Sequence, residues 1–133
     1  MEQIFNIGDT KTFSKVVQEQ DIAAFESGTV HDVYATFSIA RDAEWSGRLF
    51  VLDMKEEDEE GIGTSITVDH VSPAFIGDTI VYTAEFVEIN ERREIITTYK
   101  AYCGERLIAK GVQGQKILKK IKIDALFEGL KKG

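Results

Sequence analysis

The chain has 133 residues, 43% of them hydrophobic, which suits one ordinary domain with one sizeable core. Its formal net charge of -7 argues against general binding to nucleic acid or to anionic membranes, both of which rely on Lys and Arg to neutralise phosphate. The single cysteine, Cys103, cannot form an internal disulfide, and no Cys/His cluster has zinc-site spacing, so no metal is expected.

The N-terminal MEQIFNIGDT lacks a basic region followed by an apolar run, and no apolar stretch approaches the ~20 residues that span a bilayer. The expected location is cytoplasmic. Residues 9–18 predict a first strand. Residues 20–27 (QDIAAFES) predict a short helical turn ended by Gly28, followed by the polar stretch SGTVHDV. The only long helical pattern covers roughly 35–54. There Thr36, Ala40, Ala43, Glu44, Gly47, Val51 and Met54 recur at steps of three and four and share one mostly small face. The acidic run Lys55 to Glu60 reads as a solvated loop.

From residue 61 the pattern changes to strands. GIGTSITVDHV alternates, with Thr64, Ile66, Val68 and His70 on one side, and Pro73 interrupts it. TIVYTAEFVEI, EIITTYKAYC and RLIAKGVQGQKIL follow, joined by polar turns at Asn90–Arg93 and Gly104-Glu105. Cys103 falls in a strand and reads as a small apolar group. The basic, amphipathic tail 119–133 predicts a helix that docks on its own domain or on a second subunit. A membrane-surface role is the other use of such a tail.

A strand, one long helix and then four strands make an α+β domain. An antiparallel sheet wrapped around one long helix is the hotdog arrangement, and it is the expected fold of residues 1–133 as a single domain.

Four residues attract chemical interest. His31 sits in a polar loop beside Asp32 and reads as solvated. His70 ends an alternating strand, where it is either a satisfied structural side chain or a proton carrier near neutral pH. Glu44 lies among Ala40, Ala43 and Gly47; either it reaches water or it points into a cleft as a nucleophile or general base. Thr36 stands at the helix start, as an N-cap or as a hydroxyl donor to a carboxylate. The helix N-terminus also offers N–H groups to a developing oxyanion.

The order Val33-Tyr34-Ala35-Thr36, Glu44-Trp45, Gly63-Thr64, His70 resembles the fluoroacetyl-CoA thioesterase group of the hotdog superfamily. In that group a threonine, a glutamate eight residues on and a histidine a further 26 on form the catalytic set. Here 44 − 36 = 8 and 70 − 44 = 26. The family's glycine at the CoA thioester corresponds to Gly63. The likeness continues through Gly77, Thr83–Glu88, Arg92-Arg93 and Gly111, over roughly residues 30–115. Two positions depart from the family: Gln115 replaces a substrate-contacting arginine, and Val30 falls where a lid phenylalanine would be.

The resemblance implies hydrolysis of a short or small acyl-CoA to a free acid and CoA. Thr36, Glu44 and His70 would be catalytic, and Gly63 and Gln115 would bind substrate. CoA is part of the substrate, and no cofactor is implied. A hotdog hydratase acting on enoyl thioesters would carry an Asp five residues before its His, and neither histidine here has one. A non-catalytic acyl-CoA-binding protein is the alternative from another class. An unpaired strand edge is a liability, so a homodimer joined near 61–71 is expected, with no nucleic-acid or membrane partner. Phe25, Val30 and Tyr34 are candidates to cap a short pocket. Eight residues of helix rise about 12 Å. Thr36 and Glu44 therefore meet one substrate only if the helix starts after Thr36 or a second subunit helps close the site.

Overall fold

Alternation from residue 79 to 119 leaves one side of each strand apolar, and a sheet built from such strands must cover that side with another element. The computed structural model, which describes residues 1–25 and 27–133, covers it with the long helix. The elements are β1 (Thr10–Val16), a 3-10 turn (Glu19–Asp21), β2 (Ile22–Phe25), β3 (Gly28–Tyr34), α1 (Thr36–Met54), β4 (Glu59–Ile66), β5 (Asp69–His70), β6 (Thr79–Ile89), β7 (Ile95–Cys103), β8 (Arg106–Lys119) and α2 (Lys120–Lys132). The main sheet is antiparallel in the order β1-β6-β7-β8-β4, with β5 also on β8. This is the expected hotdog arrangement.

α1 turns Ile39, Ala43, Phe50, Val51 and Met54 into the core. Ile39 and Ala43 pack with Tyr82, Tyr99 and Ile108, while Phe50 and Met54 pack with Phe86 and Ile95. Cys103 is half-buried against the first of these clusters, as a small apolar group would be.

Several sequence expectations need correction. The helical turn expected at 20–27 is confined to Glu19–Asp21. Ile22 to Phe25 instead pair with β3, and the SGTVHDV stretch is largely strand. Glu26, within the 20–27 segment, lies outside the described residues. A helix this short cannot offset its nucleation cost. A hairpin can form because Gly28 takes a φ of +108°, open to glycine and strained for other residues. The acidic run is not wholly solvated: Glu59 and Glu60 begin β4. Glu59 is buried, accepting from the Glu56 N–H and the Met1 ammonium, and Glu60 pairs with Arg48. Tyr34 is no lid residue, being fully buried in the core. The shared side expected for Thr64, Ile66, Val68 and His70 is broken by a register shift between Gly63 and Ser65. Thr64 and Ile66 are exposed, and Val68 packs on the core. The tail is helical, but only Ile123 of its apolar side is buried, and Ile121, Leu126, Phe127 and Leu130 remain exposed.

A buried polar cluster sits where α1 begins. Asp21, 0% exposed, accepts from Arg41 Nη2 (2.8 Å) and the Gln18 N–H (2.9 Å) and pairs with Lys15 (3.1 Å). Arg41 Nε donates to Asp42 Oδ1 (3.0 Å), the Tyr34 hydroxyl donates to Asp42 Oδ2, and the Tyr34 and Tyr82 hydroxyls lie 2.7 Å apart. Burial pushes the Asp21 carboxyl up, but Arg41, the Gln18 N–H and Lys15 together hold it below the ordinary value. Because its folded pKa is depressed, Asp21 contributes stability that is present above the unfolded carboxylate pKa and lost as pH falls through the folded one. Asp21→Ala should cost about 2–3 kcal/mol in urea unfolding, the lower end for a broken buried pair because Arg41 keeps solvent and Asp42. Its acid-unfolding midpoint should move to higher pH. A loss under about 0.5 kcal/mol would show the cluster to be incidental.

Candidate active site

The segment leading into α1 is pinned on both sides. The Tyr34 N–H donates to the Ala74 carbonyl (2.8 Å) and the Ala35 N–H to the Asp21 carbonyl (2.9 Å). Ala35 is the N-cap and offers no side-chain cap, so Thr36 is already the first helical residue. Its hydroxyl is thus not spent on capping. It lies 3.0 Å from His70 Nδ1.

His70 is held by β5, paired across from Ala109 of β8, and by the Val71 N–H on the Ile108 carbonyl (2.8 Å). Its Nε2 is shut off from solvent and makes no hydrogen bond among the described residues. Burial lowers the His70 pKa below the ordinary histidine value, and the nearby Ser72 backbone offsets this in part. The ring is therefore neutral at neutral pH, with one nitrogen able to accept a proton.

Glu44 projects from α1 two turns further on and is exposed. Of the two options open for it, it takes the one that reaches water. Its carboxylate lies directly over Gly63 of β4, where any Cβ would overlap Oε1. Glycine there lets the carboxylate rest on the strand backbone; a larger residue would displace it. Gly63 pairs in register with Gln115 of β8, which is 3% exposed. The Gln115 amide donates to the Glu44 carbonyl (3.3 Å) and to Gln113 Oε1 (2.9 Å), so Gln115 stands behind the surface that Glu44 and Gly63 present.

The five residues singled out in the sequence thus form two clusters, Thr36 with His70 and Glu44 with Gly63 and Gln115. The helix contains both Thr36 and Glu44, which rules out a start after Thr36 and leaves about 12 Å of axial rise between them. No hydrogen bond joins Glu44 to Thr36 or His70 among the described residues, and the Glu44 carboxylate has no ion pair there. His31, opposite Ala23 in the hairpin, is exposed.

Sequence reasoning passed over Gln113 and Phe37. Gln113 is 1% exposed under α1; the Gln-Gly-Gln alternation facing a helical glycine was the available signal. Phe37 is 50% exposed and meets Phe25 edge to face at 5.7 Å, which brings the β2–β3 hairpin onto the first turn of α1 beside Thr36. Val30 is also exposed on that hairpin, and a bridge between Val33 and Phe75 ties it to the loop after His70. An apolar rim thus borders the Thr36–His70 pair.

Residues 17–121 match the family model of the fluoroacetyl-CoA-specific thioesterase. Among solved structures, the chain is similar to a Thermus thermophilus hypothetical protein of the thioesterase superfamily, with 32% identity, 98% of this chain and 96% of that one covered, and a TM-score of 0.91. The fluoroacetyl-CoA thioesterase FlK shares the fold at 21% identity, with 94% of this chain and 96% of that one covered and a TM-score of 0.85. So does a hot-dog-like protein from Thermanaerovibrio acidaminovorans, at 15% identity, 94% and 92% coverage and a TM-score of 0.85. No curated protein matches the chain at a significant level.

The His70 environment sets a pH expectation. A depressed folded pKa means that His70 adds nothing to stability loss above the unfolded histidine pKa, and that stability falls as pH drops from there toward the folded pKa. In an NMR titration of its ring protons, His70 should titrate below about 6.5. A midpoint at or above that value would mean that a nearby negative charge outweighs the burial of the ring.

Proposed function

The chain belongs to the fluoroacetyl-CoA-specific thioesterase family, and we propose that it hydrolyses a short or small acyl-CoA to the free acid and CoA, with Thr36, Glu44 and His70 as its catalytic residues. The observation that carries this reading is the Thr36–His70 hydrogen bond, with the Glu44 carboxylate, which has no partner among the described residues, in a second cluster on Gly63. Water supplies the oxygen of the new carboxylate, and the thioester C–S bond breaks. Glu44 attacks the carbonyl carbon or takes the proton of the attacking water. Neutral His70 relays a proton toward the leaving thiolate, and Thr36 orients the reacting oxygen. The first turn of α1 turns its free N–H groups toward the developing oxyanion. Gly63 leaves room for the thioester against Glu44, and Gln115 supports that wall. The chemistry calls for neither a metal nor a redox cofactor.

The proposed site is assembled by two copies. β4 is an edge strand, exposed from Gly63 to Thr67, and a bare edge invites a second chain. If two β4 edges pair antiparallel about a two-fold axis near Ile66, Gly63 of one copy faces His70 of the other. Glu44 of one copy then meets the Thr36–His70 pair of the other, closing the gap left within one chain. The apolar rim of Phe25, Val30 and Phe37 suits a short apolar acyl group.

Thiol release across a panel of acyl-CoA chain lengths tests the activity. Acetyl-, butyryl- and small branched acyl-CoA should exceed palmitoyl-CoA in kcat/KM, and a tenfold advantage for palmitoyl-CoA would overturn the size assignment. Glu44→Gln should lower kcat by about 10²–10⁴-fold while staying folded. Parental turnover in that variant, or binding of CoA esters with no turnover in the parent, would refute the enzyme reading.

The shared site has its own test. Thr36→Ala and Glu44→Gln proteins, each impaired alone, should recover about a quarter of parental activity when subunits are mixed and exchanged, since half the dimers are mixed and each has one intact site. A monomer by light scattering, or no recovery after exchange is shown, would place the site within one chain.

A further inference from the structure

We propose that Gln113 is a positioning residue: it locks the turn of α1 that carries Glu44, so that the side chain leaves the helix over Gly63. The inference rests on the reading of Glu44 as the reacting carboxylate.

α1 meets the sheet here through Ala43, Ser46 and Gly47, all buried. Small apolar contacts are not directional and hold a helix poorly against rotation or sliding. Hydrogen bonds are directional, and two glutamine amides supply them at this turn. Gln113 Nε2 donates to the Ala43 carbonyl (2.9 Å) and lies 3.4 Å from the Glu44 carbonyl. The Gln115 amide reaches the same Glu44 carbonyl (3.3 Å) and braces Gln113 Oε1 (2.9 Å). Each carbonyl already serves the helix's own i+4 N–H, and the Ala43 carbonyl also accepts from Ser46 Oγ (2.6 Å), so the amides join shared acceptors.

The fit is steric as well as polar. A Cβ at Gly47 would overlap the Gln113 amide. Glycine in mid-helix is unfavourable relative to alanine, and here it admits β8's glutamine to the helix backbone. Packing alone would be served better by an apolar pair, because buried amides must first give up water. The polar pair therefore specifies a position rather than adding bulk.

The strand that grips the turn, β8, also holds the platform. Gln115 is the register partner of Gly63, so the amides connect Glu44 to the strand pair beneath its own carboxylate. Rotating the helix by about 10° swings a side-chain tip ~6 Å from the axis by about 1 Å. A displacement of that size can cost about 10²-fold in rate.

Gln113→Met keeps the length and volume of the side chain and removes both donors. It should fold with a Tm somewhat below the parent's, because the buried Gln115 amide loses its Gln113 acceptor. Its kcat on acetyl- or butyryl-CoA should fall roughly 10- to 100-fold, with KM within about twofold. On a Glu44→Gln background the same change should lower the residual rate no further, because it acts through the missing carboxylate. Parental kcat in folded Gln113→Met, or losses that simply multiply on the Glu44→Gln background, would overturn the proposal. Gln113→Leu gives the same readout if methionine does not pack. Failure of the enzyme reading looks different: there Glu44→Gln itself keeps parental turnover.

Discussion

The seat of α1 depends on one buried cluster. Asp21, fully enclosed, binds Arg41 and Lys15, and Arg41 passes the connection to Asp42, which the Tyr34 hydroxyl also meets. Burying such charges is unfavourable unless every one is paired, so the cluster tolerates one arrangement of the pieces that supply it. Those pieces are β1, the 3-10 turn, the end of β3 and the first turns of α1 itself. Once they are fixed, the start of α1 is fixed at Thr36, and all downstream positions on the helix follow at 1.5 Å per residue. Tyr34 and Tyr82, whose ionisation burial strongly opposes, stay neutral hydrogen-bonding members of this lock.

From that seat the helix works as a ruler. Its first residue meets β5 at His70, and its ninth meets β4 at Gly63. The interval between β4 and β5 is therefore part of the site's design. The bulge at Gly63/Ser65 and the short break before Asp69 set where each chemical group arrives along one free sheet edge. β8 runs behind both, pairing with Gly63 through Gln115 and with His70 through Ala109. One continuous strand thus holds the Glu44–Gly63 cluster and the Thr36–His70 cluster of one chain in fixed relation.

The β2–β3 hairpin is the least tied part of the site. It touches α1 through the exposed Phe25–Phe37 pair and the loop after His70 through the Val33–Phe75 bridge. Its apolar tips border the Thr36–His70 pair but take no part in the core. Variation there changes what fits beside the reactive groups without disturbing the helix seat, which is how a common scaffold serves different substrates.

Alternation and helical period alone determined the long elements. The helix over 36–54, the three closing strands and their turns follow from residue spacing, because long periodic segments average out local exceptions. The Thr36, Glu44 and His70 spacing and the place of Gly63 were legible only through the family resemblance. Tertiary structure decided the rest. QDIAAFES is hairpin rather than helix because β3 supplies partners that no local pattern contains. Tyr34 points to Asp42 rather than over a pocket because the core network claims it. Glu44 lies on a helix face whose burial depends on a degree of rotation that a period of 3.6 cannot resolve, so its exposure is set by the strands beneath. Gln113 was invisible as a functional candidate because its partners are backbone carbonyls seventy and sixty-nine residues away. Side-chain identity is written in the sequence; which backbone atom a buried amide meets is fixed only when distant elements are brought into contact.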